Sequence, residues 1–196
     1  MHPIEVKEIV STMTRDEEVI SAAVLHDTIE DCKGVTREVL ALEFSPRVAA
    51  MVAGESEDKS RTWMERKTAT IQSIGNAPRE VQMIGLADKL SNMRDIDRDY
   101  PKVGEELWNR FRMKDKKMIG WYYKGVRDAL AKDFQKEPVF QEYCRLIGKI
   151  FDKKHSKRAG YAGGDACISG PFALSVEFCL SGSICQGFLF SAPLSQ

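Results

Sequence analysis

The chain has 196 residues, enough for one domain with a buried core and no dependence on disulfide or zinc staples. Its 29 Lys and Arg balance 29 Asp and Glu, so no overall field favours nucleic acid or anionic membrane, and a small anionic ligand would need a local cluster of positive charge. The start lacks the basic, apolar and small-residue order of a secretory signal, and five cysteines with no CxxC pair predict free thiols in a reducing, cytoplasmic setting.

Helix signals dominate as far as about Phe151. Pro3 suits a first helical position, followed by Ile4, Ile9, Val10 and Met13 on apolar spacing. Thr14 with Glu17 three residues later predicts a capping box before Val19, Ile20, Ala23 and Val24. Lys33-Gly34 interrupts the chain, Thr36 can cap a short helix through Phe44, and Ser45-Pro46 starts another that Gly54 should end. A helix from about Thr62 to Ile74 stops at Gly75-Asn76. Pro78 then opens a longer one, whose stripe of Val81, Ile84, Leu86, Ala87, Leu90, Met93 and Ile96 leads to Pro101. Further helical stretches are expected near 105–111, 114–134 and 139–151, and no run alternates as a strand does. The reading is an all-α domain over 1–152.

Composition changes after Arg158. From Ala159 to Gln196 only Asp165 and Glu177 are charged, so 153–196 reads as a low-charge, poorly ordered tail. Its apolar part, 172–194, is a weak membrane-span candidate diluted by Ser, Gly, Cys and Gln. His155 sits among Lys153, Lys154 and Lys157 as part of a solvated helix end.

Chemistry concentrates in two segments. In His26-Asp27-Thr28-Ile29-Glu30-Asp31, an imidazole and three carboxylates follow the apolar run Ala22-Ala23-Val24-Leu25. The spacing pairs His26 with Glu30 and Asp27 with Asp31 along a helix surface. Polar groups crowded there are costly if buried alone, and a divalent cation would relieve them. The plain alternative is a capped, solvated helix end. In Leu86-Ala87-Asp88-Lys89-Leu90-Ser91-Asn92-Met93-Arg94, Asp88 lies within an apolar stripe and needs a metal or a cationic neighbour, with Asn92 on the same face. Lys59, Arg66-Lys67 and the group Lys114, Lys116 and Lys117 are candidate phosphate contacts, although charge runs are usually solvated faces. Trp121, Tyr122 and Tyr123 could stack a base but suit core packing better.

Taken together, His2-Pro3, HDTIED at 26–31 and LADKLSNMRDI at 86–96 resemble the hydrolase domain of the RelA/SpoT alarmone enzymes, and most of all the small stand-alone HD hydrolases. The resemblance covers roughly residues 2–151 and implies a compact multi-helix HD fold with a divalent metal site. It implies His2, His26, Asp27 and Asp88 as metal ligands, Glu30 and Asp31 as the pair that positions and activates water, and Asn92 as a ribose contact; Lys59, Lys67 and Lys116 are candidates toward the phosphates from local charge alone. The donor types suit Mn²⁺, Zn²⁺, Fe²⁺ or Mg²⁺, and the family tips the choice to Mn²⁺. The implied reaction removes the 3′-pyrophosphate of guanosine tetra- or pentaphosphate. Alternatives are another nucleotide such as NADPH, or a fragment that binds nucleotide without turnover. The implied partner is a small nucleotide, with no nucleic acid, no clear membrane anchor and no indicated oligomeric state. The family's helix before His-Pro and its Arg-Lys and Pro-Tyr elements have no counterpart here, which predicts an N-terminal truncation and a loosely held His2.

Overall fold

The helix with the longest apolar stripe organises the molecule. In the computed structural model, which describes residues 2–55 and 59–152, α7 (Arg79–Val103) is buried at every position from Val81 to Asp88. A helix covered all round, rather than along one stripe, is a core helix. Gly85, Ala87 and Ser91 keep its surface narrow between the large side chains of Ile84, Leu86, Leu90 and Met93, all fully buried. Each of these stabilises the fold by roughly 1.5–3 kcal/mol.

Around α7 stand α1 (His2–Met13), α2 (Glu17–Leu25), the single-turn α3 (Thr28–Asp31), α4 (Arg37–Glu43), α5 (Pro46–Glu55), α6 (Trp63–Ile74), α8 (Lys116–Phe134) and α9 (Pro138–Ile147). A 3₁₀ segment, Gly104–Arg110, follows α7, and a π turn, Gly148–Asp152, follows α9. Helices α1, α2, α5, α6, α8 and α9 all pack against α7. No strand occurs among the described residues, and no helix there is long and apolar enough to cross a membrane. The expectations for the tail, including His155 and the apolar stretch 172–194, lie outside the described residues.

Several boundaries differ from the sequence reading. Asp16, not Thr14, caps α2: its Oδ1 accepts from Glu18 N at 3.0 Å and Val19 N at 3.4 Å. Thr14 Oγ1 instead accepts from Asp16 N and shapes the turn before it. Gly54 lies inside α5, where an added Cβ would be 3.4 Å from Val81, so it serves close packing rather than termination. Helix α7 runs through Pro101 to Val103, because a proline in the last turn forfeits a single backbone bond there. Thr36 and Thr62 cap as expected, Thr62 in a reciprocal capping box with Glu65. Cys144 carries a free thiol.

Candidate metal centre

Three stretches of chain meet at one buried spot. His2 opens α1, whose first turn lies against the middle of α7. His26 ends α2, and Asp27 separates it from α3. The sequence reading of one continuous helix surface through 26–31 is therefore corrected. In an α-helix adjacent residues point about 100° apart; the break at 26–27 lets both side chains face the same way, with His26 Nε2 and Asp27 Oδ2 3.1 Å apart. Asp88, 7 % exposed, comes from the enclosed part of α7.

Asp88 Oδ1 lies 3.0 Å from His2 Nε2 and 3.9 Å from His26 Nε2. The donor atoms of His2, His26 and Asp88 all fall within 4.8 Å of one another. Both Nε2 atoms are buried and lack a hydrogen-bond partner, while both Nδ1 atoms are engaged: His26 Nδ1 donates to Ala23 O at 2.9 Å, and His2 Nδ1 meets Ser91 Oγ at 2.9 Å. Two orphaned imidazole nitrogens aimed at one buried carboxylate are a costly arrangement unless a cation joins them. Two nitrogens and carboxylate oxygens fit a divalent first-row ion. The His2 ring is thus placed by Ser91 at Nδ1, with Asp88 Oδ1 3.0 Å from Nε2.

The two oxygens of Asp88 divide their partners. Oδ1 accepts from Asn92 Nδ2 at 2.7 Å as well as facing the imidazoles, while Oδ2 takes the ammonium of Lys89. Burial alone would raise the Asp88 pKa, but Lys89, His2 and His26 outweigh it and hold the carboxyl well below its usual range. Burial opposes the charging of His26 too, yet Asp27, Asp88 and the Ala23 carbonyl raise its pKa to about 9. In the absence of a cation, a proton on His26 does part of a cation's work.

Glu30 and Asp31, on α3, stand at the rim of this spot. Lys59 bridges them, with Nζ 3.4 Å from Glu30 Oε2 and 3.2 Å from Asp31 Oδ1, and donates to Glu30 O at 2.8 Å. Lys67 lies over the Tyr122 ring at 4.7 Å, and Lys89 approaches the same ring at 5.9 Å. Tyr122 and Tyr123 are buried as read, whereas Trp121 is 37 % exposed beside Trp63. Asn92 is turned inward, its amide donating to the Asp88 backbone and side chain. Lys116 is not brought to the cluster. It donates to Tyr100 OH at 2.8 Å and lies over the Tyr100 and Trp108 rings; Tyr100 is three turns along α7 from Asp88, roughly 18 Å away.

Sequence reasoning anticipated a cationic neighbour for Asp88, which is Lys89, and missed Ser91, Glu5 and Arg94. Ser91 Oγ donates to Glu5 Oε2 at 2.9 Å, Arg94 reaches Glu5 Oε1 at 3.1 Å, and Glu142 of α9 grips Arg94 through both oxygens. Helical spacing offered the signal. Glu5 is three residues from His2, and Ser91 is three from Asp88.

The family model described as "HD domain" matches residues 1–114. The zebrafish (Danio rerio) protein named guanosine-3′,5′-bis(diphosphate) 3′-pyrophosphohydrolase MESH1 is 38 % identical over 116 residues, which cover 58 % of this chain and 62 % of the relative. The human (Homo sapiens) protein of the same name is 34 % identical over 149 residues, 75 % of this chain and 79 % of its own. Among solved structures, lmo0812 from Listeria monocytogenes EGD-e superposes with a TM-score of 0.72 at 31 % identity, covering 78 % of this chain and 100 % of that one.

Proposed function

We propose, from the premise that this chain belongs to the HD-domain family, that it is a metal-dependent phosphohydrolase removing the 3′-pyrophosphate of guanosine 3′,5′-bis(diphosphate). The observation that carries this is the convergence of two unpartnered imidazole nitrogens on buried Asp88. The names of the zebrafish and human relatives support the substrate, although the chain spans 62 % of the zebrafish protein and its activity is therefore proposed rather than inherited.

His2, His26 and Asp88 would hold the ion, with Asp27 as the fourth ligand, and the donor set is compatible with Mn²⁺. When bound, a divalent cation supplies Lewis acidity that lowers the pKa of a water and polarises a phosphoryl oxygen. Glu30 and Asp31 orient the attacking water and accept its proton. Lys59 neutralises this acid pair at rest. Roughly half exposed, its flexible ammonium can turn toward an arriving pyrophosphate and offset charge there. Lys67 and Lys89, sharing the Tyr122 ring, extend positive charge along the adjoining wall. Trp121 offers an exposed aromatic face at its edge. The setting we propose is cytoplasmic, with a small nucleotide as the partner.

The test uses the full chain with Mn²⁺ and guanosine 3′,5′-bis(diphosphate). Pyrophosphate should be released, and Asp27→Ala should abolish release. Absence of release from a folded, metal-loaded chain would overturn the substrate assignment.

A further inference from the structure

The metal-facing nitrogen of an imidazole is available only if the proton sits on the other nitrogen. His26 secures this locally, because Nδ1 donates to Ala23 O within the preceding turn. His2, the first described residue, uses a side chain rather than a preceding carbonyl. Its Nδ1 instead meets Ser91 Oγ at 2.9 Å, across the packing of α1 on α7.

We propose that Ser91 and Glu5 are a positioning pair that holds His2 as the Nδ1–H tautomer and so directs Nε2 into the metal centre. This role rests on the metal-centre reading above. Chemistry fixes the direction of each bond. Glu5, clamped by Arg94 at 3.1 Å, is a carboxylate and can only accept. The Ser91 hydroxyl proton therefore goes to Glu5 Oε2 at 2.9 Å, leaving that hydroxyl only lone pairs for His2. The proton shared between Ser91 Oγ and His2 must then belong to Nδ1, so that with a cation between Nε2 and Asp88 Oδ1, which lie 3.0 Å apart, Nε2 is free to ligate.

Burial strengthens this assignment. Ser91 is fully buried, so water does not compete for its hydroxyl, and a wrong tautomer would set two lone pairs against each other with no solvent to relieve them. Arg94 is in turn fixed by Glu142, at 2.9 and 2.8 Å through its two carboxylate oxygens. The chain Glu142–Arg94–Glu5–Ser91–His2 thereby ties one ligand to three helices, α9, α7 and α1. Groups that orient a ligating histidine typically account for 10–100-fold in metal affinity.

The experiment compares the unmodified chain, Ser91→Ala and Glu5→Gln in three measurements. These are calorimetric titration with Mn²⁺, melting of the chelator-treated protein, and ¹⁵N shifts of the His2 ring in protein loaded with diamagnetic Zn²⁺, which show which ring nitrogen keeps its proton. In the Zn²⁺-loaded unmodified chain the His2 proton should reside on Nδ1. Ser91→Ala should bind Mn²⁺ about 10–100-fold more weakly. Glu5→Gln keeps the size of the side chain but can donate to Ser91. That frees the serine hydroxyl to donate to Nδ1, which opposes the Nδ1–H form that ligation through Nε2 requires, so affinity should again fall. An Nε2–H tautomer in the Zn²⁺-loaded unmodified chain, or two folded variants that bind Mn²⁺ within twofold of it, would overturn the proposal. If Ser91→Ala does not fold, Glu5→Gln and the tautomer of the unmodified chain still decide. Failure of the unmodified chain to bind Mn²⁺ would sink the metal-centre reading itself, whereas normal binding by all three proteins would sink only the positioning pair.

Discussion

Replacing Asp88 with Asn removes one charge from a place where water cannot substitute for it. Asp88 Oδ2 holds the Lys89 ammonium, and Oδ1 faces Asn92 Nδ2, His2 Nε2 and His26 Nε2 at 2.7, 3.0 and 3.9 Å. After the change, the Lys89 side chain, only 15 % exposed, faces an amide instead of a carboxylate, and His26 loses one of its two anions. Breaking a buried pair from one side costs about 3–5 kcal/mol. A shift of Lys89 toward the Tyr122 ring, already 5.9 Å away, returns about 0.5–2 kcal/mol. The net loss should be about 1–4.5 kcal/mol, a fall of roughly 2–18 °C in the melting midpoint for a domain of this size. Melting of chelator-treated protein at neutral pH measures it. Adding Mn²⁺ at about 100 times its Kd should stabilise the unmodified chain by about 2.7 kcal/mol and the variant by nothing, widening the gap. The double variant Asp88→Asn with Lys89→Met should recover part of the stability, because the ammonium itself is gone, but none of the metal response. An Asp88→Asn protein that melts with the parent and still responds to Mn²⁺ would refute the reasoning.

Three further outcomes follow from the same structure. In chelator-treated protein the His26 pKa is raised from 6.5 to about 9 despite burial, by Asp27 and Asp88, so protonation favours folding. That contribution is complete below pH 6.5, is lost as pH rises through 9, and amounts to about 3 kcal/mol. Stability that stays flat or increases from pH 6 to 10 would contradict it. Because Mn²⁺ must displace this proton, its affinity should climb with pH up to about 9, a trend that calorimetric titration reads directly. At Gly120 in α8, an added Cβ would sit 2.8 Å from Phe151 Cδ1 and 3.1 Å from Cγ. Gly120→Ala should therefore cost about 1–3 kcal/mol in a melt, and an unchanged midpoint would mean that the ring moves aside freely.

The helical architecture was readable because apolar spacing and caps agree at most termini. It failed where a rule of local chemistry had two candidates. Thr14 and Asp16 both qualify as caps, and only the path of the chain chose Asp16. Asp88 was readable as an out-of-place group, a carboxylate among Ile84, Leu86 and Leu90. The break between α2 and α3 was not. His26, Glu30 and Asp31 carry ordinary helical spacing, and nothing local says that the helix stops at Leu25 so that His26 and Asp27 can face one way. Lys116 shows the opposite error. It is a lysine before an aromatic group, yet its own partners, Tyr100 and Glu105, hold it three turns from Asp88. Charge by itself carries no address.

One face of α7 explains why the site tolerates so little variation in register. Asp88 faces the two imidazoles, Asn92 one turn on holds Asp88 Oδ1, Ser91 holds His2, and Arg94 holds the carboxylate that holds Ser91. A one-residue slip would rotate all four by about 100° and dissolve the arrangement. Helix α7 cannot slip, because from Val81 to Asp88 it has no face that solvent could accept. Glu30, Asp31 and Lys59 are built differently, on a single helical turn and an exposed loop, with ion pairs of 3.2–3.4 Å between partly exposed groups. Such pairs contribute only about 0–1 kcal/mol and are readily exchanged. The fold therefore separates two tasks. Under the proposed function, the ligands that must not move are fixed by the core, while the groups proposed to engage water and pyrophosphate stand where exchange costs little.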